Sequence, residues 1–128
     1  MGLMNPSPGE LVDRKTILHL KISAGERKKV NVRHFQKELE LIEAALGEWF
    51  RKSAGADRSA YDAATQGLAE VNQKLWHAED EVRALDGHQR DRLAELAKLI
   101  PALNDRRAEL VREVNRVFGV DQVEKLYE

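Results

Sequence analysis

The sequence predicts an all-α protein: an antiparallel bundle of long helices, three long and a shorter one at the N-terminus, packed in the manner of a coiled coil. Three observations predict it. Apolar residues recur at alternating three- and four-residue spacing along segments far longer than strands. Capping residues and glycines punctuate the ends of those segments. No strand-like alternation, internal repeat or low-complexity tract interrupts them. At 128 residues the chain has the size of one domain, 1–128, with enough length for a core but little to cover an elongated bundle. Self-association follows as an expectation, with a homodimer as the expected state.

The first helix is announced by Ser7-Pro8-Gly9-Glu10: Ser7 can cap, Pro8 fits the first turn, and Glu10 completes a capping box. It is expected from Pro8 to about Ala24, with Leu11, Val12, Ile17, Leu18 and Ile22 inward and Gly25 as its end. The second helix carries Val32, Phe35, Leu39, Ile42, Leu46 and Trp49 at heptad spacing and fades at Ser53-Ala54-Gly55-Ala56.

The third is expected to start near Ser59, with Asp62 as box partner, and to stop at Asp86-Gly87 with Gly87 as a left-handed cap. Its apolar stripe is Leu68, Val71, Leu75, Ala78, Val82 and Leu85, and a polar line of Asn72, Trp76, Glu79 and Arg83 runs beside it. The fourth helix carries Leu93, Leu96, Ile100, Leu103, Leu110, Val114 and Val117, with Arg107 intruding in the seam and Gly119 closing it. Pro101 falls inside an unbroken pattern and reads as a kink rather than a boundary. Asp121 and Glu124 can cap a last turn holding Val123 and Leu126.

Charge and composition exclude several functions. Charged residues make up 34% of the chain, yet Lys+Arg (21) and Asp+Glu (22) nearly cancel, so no basic field is present to bind nucleic acid. No apolar run is long enough to span a bilayer and no signal-peptide pattern opens the chain, so the expectation is a cytoplasmic protein without membrane attachment. The absence of cysteine removes disulfides, thiolate nucleophiles and thiolate metal ligands. No phosphate-binding glycine loop, no H-E-x-x-H motif and no Glu-x-x-His pair occurs. His77 and Glu81 share a face, but two ligands do not make a metal site. No cofactor, metal or catalytic residue is expected.

Counting heights from turns near residues 26, 55 and 87 sorts the remaining polar residues into two layers. One joins Glu10, Asp13, Asn72, Asn104, Arg106 and Arg107; the other joins Lys21, Glu79, Asp80 and Arg83, with Trp76 between them. Arg107 should meet Glu10 or Asp13, and Glu79 should meet Lys21 or Arg83. Glu79 and Arg107 fall roughly 18 Å apart along the axis at about 1.5 Å per residue, too far to pair. Such layers commonly fix register in a bundle. The functional alternative is that Arg106 and Arg107, with Arg14, cradle a small carboxylate- or phosphate-bearing molecule.

At these residues the chain resembles a family of small bacterial all-helical proteins defined only as a domain of unknown function. The likeness rests on Ser7-Pro8-Gly9-Glu10-Leu11-Val12-Asp13-Arg14 with Thr16-Ile17-Leu18 and Lys21, and on Asn31-Val32 with Glu38-Leu39. It continues through Leu75-Trp76, Glu79-Asp80 and Arg83 to Asn104-Asp105-Arg106-Arg107 and Asn115. Ala78, Pro101 and Val111 depart from the pattern. The resemblance implies an all-helical fold and brings no activity, cofactor or substrate. The expected function is a non-enzymatic interaction or scaffold module; the alternative is binding or conversion of a small anionic metabolite, by analogy with helical chorismate mutases.

Overall fold

The computed structural model describes residues 5–120 and is an all-α four-helix bundle, with no strand among the described residues. The helices are α1 (Pro8–Arg27), α2 (Arg33–Lys52), α3 (Arg58–Ala84) and α4 (Arg90–Val117). The first two are equal at 20 residues and the last two reach 27 and 28, so the bundle has two short and two long helices rather than one short and three long. The expected last turn at Asp121–Leu126 lies outside the described residues.

Packing radiates from α1, which touches all three other helices, while α3 and α4 form a long hairpin. α2 lies against α1, and its C-terminal end reaches the hairpin through aromatic rings. Phe50 meets both Tyr61 and Phe118 edge to face at 4.8 Å, and Trp49 stands 6.0 Å from Phe118. The core runs through Leu11, Val12, Leu18, Leu68, Leu110 and Val114. Towards the far end of the hairpin the seams open, leaving Val82 36% and Leu93 44% exposed.

Ser7 caps α1 with the full capping box: the Glu10 N–H donates to Ser7 Oγ, and the Ser7 N–H donates to Glu10 Oε1. Gly25 does not end α1. The helix continues to Arg27, and its C-terminus closes with Val30 N–H donating to the Gly25 carbonyl and Lys29 N–H to that of Glu26. Lys29 takes the left-handed position at φ 59°. Gly25 answers a different need, because a Cβ there would come within 2.4 Å of Val32 Cγ1. The same closure ends α4, with Gly119 at φ 72°.

α3 is capped by Asp57, whose side chain accepts from the Ala60 N–H at 3.0 Å, so the helix starts at Arg58 rather than under a Ser59–Asp62 box. At its other end no left-handed glycine is used. The chain leaves through extended Leu85, and the turn is held by the Asp86 carboxylate on the His88 N–H. α4 passes unbroken through Pro101, which has no N–H for the Ala97 carbonyl; both residues are exposed, so water can serve that carbonyl.

Candidate functional site

α1 crosses the C-terminal half of α4 at very short range, and Gly9 is what permits it. A Cβ at Gly9 would stand 2.3 Å from the Val111 carbonyl oxygen, which is backbone and cannot step aside. The Gly9 N–H belongs to the first turn of α1 and has no helical partner. Buried Asn115 supplies one, its Oδ1 accepting at 2.7 Å.

One turn further along α1, Asp13 faces both long helices. Arg107 closes on it with two parallel bonds, Nε to Oδ1 at 2.8 Å and Nη2 to Oδ2 at 2.6 Å. From α3, Asn72 Nδ2 donates to Asp13 Oδ1 at 2.8 Å and to Thr16 Oγ1 at 2.7 Å. Thr16 completes the loop by donating to the Asp13 carbonyl at 2.8 Å. Asn72 and Thr16 are buried, and the Arg107 and Asp13 side chains are 33% and 15% exposed. The bond from Asp13 raises the guanidinium pKa of Arg107 against the opposing effect of burial.

The first polar layer is therefore a cluster of Asp13, Asn72 and Arg107, to which Thr16 and, a turn away, Asn115 are added. The count of heights does not reach Thr16. Its signal was present: a threonine three residues after an aspartate, on a buried helix face. Glu10 stays outside, occupied by the Ser7 cap, and Asn104 is exposed without a side-chain hydrogen bond among the described residues. Arg106 is exposed and faces Glu109 and Glu113 of its own helix at 3.8 and 3.7 Å. Arg14 turns to α2, where both its Nε and Nη2 meet the Glu38 carboxylate; the bond holds Glu38 below the usual carboxylate range.

The second layer does not assemble. Lys21 lies 5.5 Å from the Phe35 ring centroid, and Arg83 bonds to Asp80 one turn back on the same exposed face. Glu79 is exposed and makes neither expected pair, with Lys21 or with Arg83. Nor does Glu79 pair with Arg107, whose fork is taken by Asp13, in keeping with their expected separation along the axis. Trp76 is half-buried and outside the core cluster.

Chemically, this arrangement is closed. Both Asp13 oxygens are engaged, and the guanidinium forks of Arg107 and Arg14 are spent on carboxylates within the chain. Glu81, expected on a face with His77, is held by the Arg92 fork. No three His, Asp or Glu side chains among the described residues are grouped to hold a metal ion. An open groove of about 360 Å³ between α1 and α3 passes Thr16, His19, Leu20 and Gln73 but does not reach Asp13 or Arg107. No described helix is long and apolar enough to cross a membrane.

No family model, curated protein or solved structure matches this chain.

Proposed function

We propose that the protein is a non-enzymatic helical interaction module that works as a homodimer. The observation that carries this reading is the closure of the polar cluster. The arginines in a position to receive an anion inside the bundle are already bound to Asp13 and Glu38. An anion entering there would have to displace a bidentate carboxylate already in place. The cluster instead serves register: it lets α1 sit at one height on the α3–α4 hairpin and at no other. The packing adds a second support, because α2 covers α1 and leaves the outer sides of the hairpin uncovered. Membership of the small bacterial all-helical family belongs to the same proposal.

Multi-angle light scattering of the full chain across a concentration series is the direct test. A mass approaching twice that of the chain is the expected result, and a monomer at the highest concentration overturns the homodimer. The non-enzymatic part is tested by thermal shift with inorganic phosphate, citrate and benzoate. A ligand at a hundred times its dissociation constant stabilises by about 2.7 kcal/mol, so a shift of that size with any of them would replace the interaction module by an anion site. An unchanged melting temperature is expected.

A further inference from the structure

Asp91, Lys98, Asp105 and Arg112 stand seven residues apart on α4 and therefore form one line along the helix. All four are exposed, on the side opposite buried Leu96 and Leu110, the latter packed against Gly67 of α3. Their signs alternate. Among the described residues none of the four makes an ion pair or a side-chain hydrogen bond. One step round the helix the charges are closed instead, Arg92 on Glu81 and Glu95, and Arg106 facing Glu109 and Glu113.

The line also has a centre. Midway between Lys98 and Asp105 lie Pro101 and Ala102, both small and exposed. Turning the line end for end about that point exchanges positive and negative positions. A pattern of this kind is complementary to itself when two copies run antiparallel, and it clashes with itself when they run parallel.

We infer that α4 pairs with α4 of a second copy, antiparallel, about a two-fold axis passing between Pro101 and Ala102. This rests on the homodimer reading above and gives it a surface. Lys98 then lies opposite Asp105 of the second copy, and Asp91 opposite its Arg112, each pair occurring twice. Sizes match as well as charges: Glu95 falls opposite Ala108, and Glu109 opposite Ala94, so each long side chain meets a small one. A partner of another sequence would have no need of this internal inversion. The pairs are solvent-exposed and individually weak, so the dimer weakens as salt rises past the point where the Debye length falls under about 10 Å.

Sedimentation equilibrium of the full chain at low salt provides the test, with circular dichroism verifying the fold of each variant. Lys98→Asp sets like charges opposite each other twice and is expected to weaken the dimer at least tenfold. The charge swap Lys98→Asp with Asp105→Lys is expected to restore it. Because the chain has no cysteine, Ala102→Cys treated with oxidised glutathione should give a disulfide-linked dimer, while Gln66→Cys on α3 should not. A dimer undiminished in Lys98→Asp, or a swap that fails to restore it, overturns pairing through α4 and leaves the homodimer standing. A monomeric parent chain overturns both.

Discussion

Asp13 is shared by two helices, and its contribution to stability is accordingly a property of the cluster rather than of one bond. Replacing Arg107 by Met leaves a carboxylate with 15% of its side chain exposed facing Asn72 and no cation. We expect a loss of roughly 2–3 kcal/mol in urea denaturation for Arg107→Met. Adding Asp13→Leu should cost clearly less than the sum of the two single changes, and simple additivity would refute the coupling. At Lys29 the opposite sign applies. A lysine at φ 59° occupies a position where glycine carries no steric penalty, as Gly119 does at the end of α4, so Lys29→Gly should stabilise by about 1 kcal/mol.

Tyr61 ties stability to alkaline pH. Burial pushes its phenol above the ordinary value of 10.0. The folded state thus holds this proton more tightly than the unfolded state does. The associated stability is intact below the ordinary phenol range and is lost as pH rises through the raised folded value. A titration followed by ultraviolet absorbance should show one of the two tyrosines ionising late, and Tyr61→Phe should remove that late step.

Among the elements, α2 is the one held least broadly. It rests on α1 and meets the ends of the hairpin through the rings of Trp49 and Phe50, and just two of its own residues, Ile42 and Leu46, are buried. Hydrogen exchange should therefore show the middle of α2 opening at lower free energy than the stretch of α3 from Leu68 to Leu75. Equal protection in the two would mean that α2 unfolds only with the whole bundle. The helical spans were legible because spacing and caps are local: the heptads of α3 and α4 and the Ser7 box are written within a few residues. Gly25 misled because one residue type serves two needs, and here close approach to Val32 prevailed over chain reversal. Between Asp57 and Ser59, two good caps two residues apart, sequence offers no decision.

At the scale of the molecule, pairing across helices divides along the same boundary between local and distant causes. Asp13 with Asn72 and Arg107 could be derived by counting heights, since buried polar groups must find partners and few are in reach. Lys21, Asp80 and Arg83 could not, because exposed charges settle on whichever neighbour, often on their own helix, costs least order. The aromatic contact of Phe50, Tyr61 and Phe118 was hidden for another reason. Those residues lie at three helix ends that only the finished fold brings together.

The bond from Gly9 to Asn115 spans 106 positions of chain, and that distance has a kinetic meaning. The α3–α4 hairpin can form from nearby segments, whereas the crossing of α1 over α4 must await closure of nearly the whole chain. Contacts that complete late are weak in the folding transition state and govern the return journey. Gly9→Ala, which drives a methyl group into the Val111 carbonyl, should therefore accelerate unfolding in stopped-flow measurements and leave the refolding rate almost untouched. A folding limb slowed as much as the unfolding limb is quickened would place this crossing in the nucleus instead.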